Sequence, residues 1–211
     1  MARWLNYMMV CGLFLFFSVE VVAQSLSARE VMNRASEVFY KAGGIQAVFT
    51  VRQGGGASVS QGEIQLQGQK FVLQLGGMKT WFDGRTQWSY VMENEEVNVS
   101  EPTAEELQGL NPYAWLSLYR EGGRLSLGAG TAKTYVVTVT PVSSRSQIRQ
   151  MVITLDKRTY YPVVVKIQHG IRDHDFTEIS LLDLKTRQHY ADGFFRFDAK
   201  KYPHVEVIDL R

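Results

Sequence analysis

Residues 81–100 read WFDGRTQWSYVMENEEVNVS. Asp83-Gly84 is a strong tight-turn signal, because glycine accepts positive φ without steric cost. Beyond it, Thr86, Trp88, Tyr90 and Met92 fall on one side of an extended chain. Arg85, Gln87, Ser89 and Glu93 fall on the other. Such alternation marks a strand with one dry and one wet side. Val97 and Val99 supply the dry side of the next strand. These dry groups are large, soft and aromatic. They either pack as the protein's own core or face something that the protein holds.

The same period runs outward in both directions. Ile45, Ala47, Phe49 and Val51 share a face. Ile64 and Leu66 stand opposite Glu63, Gln65 and Gln67, and Phe71, Leu73 and Leu75 alternate with Lys70, Val72 and Gln74. Downstream, KTYVVTVTP, QIRQMVITLD, PVVVKIQH and FTEISLLDLKT are four more strand-like runs, and DKRTYYP is a hairpin connection between the second and third. The tail FFRFDAKKYPHVEVIDLR holds a further short strand or two.

Helical signals are few. Ser27 and Glu30 have capping-box spacing ahead of Val31, Met32, Ala35, Val38 and Phe39, and Gly43-Gly44 ends that stripe. Thr103 and Glu106 repeat the spacing. Asn111-Pro112 opens NPYAWLSLYREGG, a short helix with Trp115, Leu116 and Tyr119 as apolar contacts. Roughly nine to eleven strands against two or three helices predict a mainly β, α+β fold. Its expected form is a strongly curved antiparallel sheet, an incomplete β-barrel, with helices lidding an apolar concave face. Two helices cover only part of such a face. The expected cavity is lined by Phe71, Leu73, Trp88, Tyr90 and Val97, as the dry faces of neighbouring strands, with Phe49 beside them.

The opening MARWLNYMMVCGLFLFFSVEVVAQS reads as an export signal. Arg3 precedes an apolar run from Tyr7 to Val19, shorter than the roughly 20 residues that span a bilayer. Val21-Val22-Ala23 offers a cleavage site, so residues 1–23 are expected to be removed and 24–211 to form one domain. An uncleaved anchor is the alternative. Cys11, the only cysteine, lies within the run and not at its end, which argues against lipidation and leaves a mature chain with no thiol.

The 211-residue chain carries 23 basic and 21 acidic side chains, a formal net charge of +2, which gives no electrostatic case for a nucleic-acid partner. No catalytic constellation stands out, and no enzyme, metal or cofactor is expected. HGIRDHD gathers His169, Asp173, His174 and Asp175 in a charged loop without helical zinc-site spacing. QGGGASVSQG lacks the Lys-Ser/Thr ending of a phosphate loop. Glu95-Glu96 and Glu105-Glu106 are adjacent pairs that do not face one another.

Taken in order, these features resemble the periplasmic outer-membrane lipoprotein carriers, the LolA-like proteins. The resemblance rests on the export signal, the amphipathic first helix, GIQAVFTVRQ, QGEIQLQGQKF, DGRTQWSYVMENEEVNV, the helical break NPYAWLSL and the terminal FRFDAKKYPHVEVIDLR. It implies a half-barrel lidded by helices, with Tyr113, Trp115 and Leu116 in the lid. It further implies a monomeric periplasmic carrier that takes acylated lipoproteins from an inner-membrane release transporter and hands them to an outer-membrane acceptor. The family often places a latching Arg and a Pro just after the second strand. This chain has Gly68-Gln69-Lys70 there, leaving Lys70 as the possible gate. An envelope sensor or regulator that binds lipid or lipoprotein on the same fold is the alternative.

Overall fold

In the computed structural model, residues 26–56, 58–103, 106–107, 123–142, 146 and 148–211 are described. The expected leader, residues 1–23, and the expected lid residues Tyr113, Trp115 and Leu116 lie outside them.

Alternating sequence becomes two antiparallel meanders. The first runs through β1 (Gly44–Gln53), β2 (Val59–Gln67), β3 (Lys70–Leu75), β4 (Met78–Phe82), β5 (Gln87–Val91) and β6 (Glu96–Ser100). The second runs through β7 (Arg124–Gly128), β8 (Thr134–Thr140), β9 (Gln150–Asp156), β10 (Pro162–Gln168) and β11 (Phe176–Gln188). Antiparallel pairing of β1 with β11 joins them. A last strand, β12 (Glu206–Asp209), adds to β6, giving one 12-stranded, curved and unclosed sheet in the order β12-β6-β5-β4-β3-β2-β1-β11-β10-β9-β8-β7. Consecutive strands β6 and β7 lie near opposite ends of this sheet, so residues 101–123 link one end to the other. One pairing departs from an all-antiparallel meander: β12 runs parallel to β6.

Helix α1 (Ala28–Lys41) forms where its cap signals place it. Ser27 Oγ accepts from the Glu30 amide at 3.2 Å while the Glu30 carboxylate accepts from the Ser27 amide at 2.7 Å, so two otherwise unpaired helix-end donors are satisfied. The Ser27 backbone amide, then its hydroxyl, hold the Glu30 carboxyl below its ordinary pKa. Gly43, at φ +69°, turns the chain into β1, and the Arg187 amide donates to the Ala42 carbonyl at 2.9 Å, tying the helix end to β11. Val31, Met32, Ala35 and Phe39 form the buried stripe that faces the sheet.

The second capping box is also made. Thr103 Oγ1 accepts from the Glu106 amide at 3.3 Å, the Glu106 carboxylate accepts from the Thr103 amide at 2.8 Å, and Leu107 reaches the core. Among the described residues, α1 is the α-helix whose full extent is seen.

Candidate functional site

Directly paired residues on neighbouring strands point to the same side, so the register assigns every side chain to a face. On the side that bears α1, Ile45, Ala47 and Phe49 of β1 continue into Ile64 and Leu66 of β2, Phe71 and Leu73 of β3, and Phe82 of β4. In the other direction the same surface passes through Leu181 and Ile179 to Val165, Ile153 and Val137. These side chains and the buried stripe of α1 form a single apolar cluster. The sheet therefore offers an unbroken apolar floor from β4 to β8.

Close packing shapes that floor. A Cβ on Gly62 would stand 2.6 Å from the Phe49 ring and 2.8 Å from the Gln74 carbonyl oxygen, so only glycine lets the Phe49 ring lie over β2. Phe71 and Phe82 meet at a tilt across β3 and β4, with centroids 5.4 Å apart.

The sequence-based expectation put six residues in one cavity. The structure divides them. Phe49, Phe71 and Leu73 lie on the floor with α1. Trp88, Tyr90 and Val97 lie on the opposite, outer face, because Trp81 pairs with Trp88, Trp88 with Val99, and Tyr90 with Val97. The error came from treating the dry faces of β3 and β5 as one surface. Between them runs β4, which is buried on both sides: Thr80 and Phe82 point to the floor and Trp81 to the outer face. The dry side changes face at β4. Consecutive bulky residues at Trp81-Phe82, and again at Phe71-Val72-Leu73, were the signal, since an unbroken apolar run means burial on both sides.

What covers the outer aromatics is the C-terminal segment. From the end of β11 it crosses the outer face through two 3-10 turns, Asp192–Phe195 and Ala199–Lys201, before pairing as β12. Val72, Trp81 and Phe195 form a second buried cluster, with Trp88, Tyr90, Tyr190, Phe197 and Tyr202 packed on it. Trp81 meets Phe197 at 5.6 Å and Tyr202 at 5.7 Å, and Tyr90 meets Tyr202 at 5.2 Å. At the start of this strap the Tyr190 hydroxyl donates to the Ile45 carbonyl at 3.2 Å. Arg196 Nε pairs with Asp83 Oδ2 at 3.0 Å. Burial pushes the Asp83 carboxyl up, but the Thr86 and Arg85 amides and the Arg196 guanidinium together hold it below its ordinary pKa. The Asp83-Gly84 turn and the FRFDAKKYPHVEV tail, far apart in sequence, are thus two halves of one clasp. Trp88 and Tyr90 pack with the strap, and Val97 is buried on the same face.

Lys70 stands beside Gln67 at the β2–β3 turn, on the side opposite Phe71, so it points away from the floor it was expected to gate. Among the described residues no ion pair involves it. On the floor side of β5 and β6, Val91 is the one apolar residue. There Gln87 follows Phe82, and Ser89 follows Thr80, with Asn98 and Ser100 next. Thr80 Oγ1 and Gln87 Oε1 are buried without a hydrogen-bond partner. A buried polar atom left so costs about 1–3 kcal/mol. No group of three or more His, Cys, Asp or Glu side chains is placed to hold a metal among the described residues.

An open, curved β-sheet with an amphipathic helix on its apolar face is the LolA-like fold. The family model described as "Outer membrane lipoprotein carrier protein LolA" matches residues 19–171, well over half of the chain, and the chain belongs to that family. The match ends before β11, so the strap lies outside it. An uncharacterized conserved protein from Thermus thermophilus is similar over 86% of this chain and 98% of its own, with a TM-score of 0.59 at 11% identity. A DUF1329 family protein from Desulfovibrio piger covers 82% of this chain and 98% of its own, with a TM-score of 0.50 at 11% identity. A LolA superfamily protein from Nitrosomonas europaea covers 82% and 99%, with a TM-score of 0.46 at 8% identity. At such identities the likeness concerns the fold alone. Comparison with curated proteins finds no match.

Proposed function

We propose that this protein is a non-enzymatic periplasmic carrier that shields the acyl chains of lipoproteins on the α1-bearing floor and moves them between the inner and outer membranes. The observation that supports this reading most is the floor itself: side chains of eight neighbouring strands, β8 to β4, converge on one continuous apolar surface with one amphipathic helix laid across it. Family membership supports the choice of acyl chain as its occupant. Each buried CH2 gains about 0.8 kcal/mol, so a palmitoyl chain gains on the order of 10 kcal/mol before ordering costs. A multiply acylated protein does not cross water unaided against such a gradient. A carrier must hide the chains yet let them leave, and aliphatic and aromatic walls do this without directional contacts that resist exit.

On this reading the leader is removed after Ala23, and N-terminal sequencing of exported protein begins at Gln24 within a residue or two. Among the described residues no helix is long and apolar enough to cross a membrane. The inner-membrane release transporter and the outer-membrane acceptor are the proposed partners. The test is mass spectrometry of lipid and acylated peptide extracted from the protein purified from its own envelope. Co-purified acyl species in stoichiometric amount support the carrier reading. Protein that emerges free of them, and that fails to bind a fluorescent fatty acid, overturns it.

A further inference from the structure

We propose that the floor has a built polar end, formed by Thr80 and Gln87, which binds the neutral hydrogen-bonding linkage that joins an acyl chain to its carrier molecule. This deepens the acyl-chain reading and rests on it.

Both side chains are out of solvent, with 1% of Thr80 and 8% of Gln87 exposed. Both stand on the floor side at the edge of the apolar cluster. Thr80 pairs with Leu73 on one strand and Ser89 on the other, and Gln87 pairs with Phe82. Gln87 Nε2 donates to Ser89 Oγ at 3.1 Å, and Oε1 has no partner. Thr80 Oγ1 is the second free atom. The large majority of buried side-chain polar atoms in folded proteins have a partner, and two orphans on one side of adjacent strands mark a place where a ligand could supply one.

The chemistry of the two atoms defines that partner. Gln87 Oε1 only accepts, so the ligand must bring an N–H or O–H donor. Thr80 Oγ1 can donate, which suits a carbonyl. On this side of β4, β5 and β6 the neighbours Ser89, Asn98 and Ser100 are neutral, and the one charged residue is Glu96, at the far end opposite Val91. A strip without cations does not suit phosphate or free carboxylate. The fitting group is an amide or hydroxy-ester: a carbonyl with a nearby N–H or O–H, attached to a chain that runs on over Phe82, Phe71 and Leu73. The polarity of the floor is thus graded, and the gradient sets which end of an amphiphile lies at β5.

The test is competition against a bound fluorescent fatty acid by N-(2-hydroxyethyl)palmitamide and by methyl palmitate, which share the palmitoyl chain but differ in the donor. The wild-type protein is expected to prefer the amide by about tenfold, the worth of one or two hydrogen bonds. In Gln87→Leu, which removes the acceptor for that donor, the preference should vanish while methyl palmitate affinity is kept. Thermal melting of the variant checks its fold, and Gln87→Met, which keeps the side-chain length, makes the same test if Gln87→Leu does not fold. Thr80→Val, which removes the donor to the carbonyl that both compounds carry, should weaken both alike. Equal wild-type affinities, or a preference that survives the loss of the Gln87 acceptor, would overturn the proposal while leaving acyl-chain binding intact. If neither palmitoyl compound binds, the acyl-chain reading fails first, and this inference with it.

Discussion

Trp81 and Phe82 are neighbours in sequence and belong to different interiors. Trp81→Ala removes the centre of the outer aromatic cluster, a residue only 5% exposed. It should cost about 3–5 kcal/mol in denaturant unfolding, with acyl-chain affinity per folded molecule unchanged. Altered affinity at unchanged stability would place the ligand on the wrong face. Gly62→Ala tests the floor in the opposite sense. The added methyl meets the Phe49 ring and the Gln74 backbone, so about 1–3 kcal/mol of overpacking is expected, and with it weaker acyl-chain binding, since Phe49 must move. At this scale the sequence was half legible. Alternation correctly paired Trp88 with Tyr90 and Phe71 with Leu73. It could not show that the two pairs face opposite ways, because that depends on the register through β4. Gln87, read as the wet side, is not solvated: it is buried on the floor side, while Ser89 beside it is half-buried.

At the scale of elements, local chemistry was the most readable. Both capping boxes, at Ser27/Glu30 and Thr103/Glu106, form with the geometry their spacing predicts, because each depends on four consecutive residues alone. Ser27→Ala should cost about 1 kcal/mol, seen as a lower midpoint of thermal unfolding. The strap was not readable. Its aromatic residues gave no hint of which face they cross, and the parallel β12–β6 pairing joins segments that share no turn. Its clasp has a pH signature. The folded-state pKa of Asp83 is lowered, so the stability it contributes is complete above the unfolded carboxyl value, about 3.9, and is lost as pH falls through the folded value. Asp83→Asn should therefore be less stable than wild type at pH 7, by about 1 kcal/mol, and the gap should narrow below about pH 4. Denaturant midpoints of the two proteins across that range check the sign. A gap that widens in acid would mean that Asp83 does not hold the strap. Amide exchange at Val207 and Ile208 should quicken in Asp83→Asn while the α1 amides stay protected.

For the whole molecule, composition and strand count made an open β-sheet with few helices legible, but not its two-sided construction. One side of the sheet carries the apolar floor under α1. The other, from β3 to β6, carries an aromatic cluster closed by the chain's own C-terminus. Separate cores allow a carrier to keep its sheet rigid on one face while the other exchanges cargo, because loss of a ligand from the floor leaves the clasp packed. Function turns on which face of the sheet holds the acyl chain. The most direct measurement of that face is photo-crosslinking with a palmitoyl probe that bears a diazirine at the chain end, followed by peptide mapping of the adducts. Saturable labelling of floor residues such as Phe49, Phe71, Leu73 and Ile153, suppressed by unlabelled competitor, is expected. Labelling centred on Trp88, Tyr90 and Phe197, or labelling that never saturates, would contradict an acyl chain on the floor.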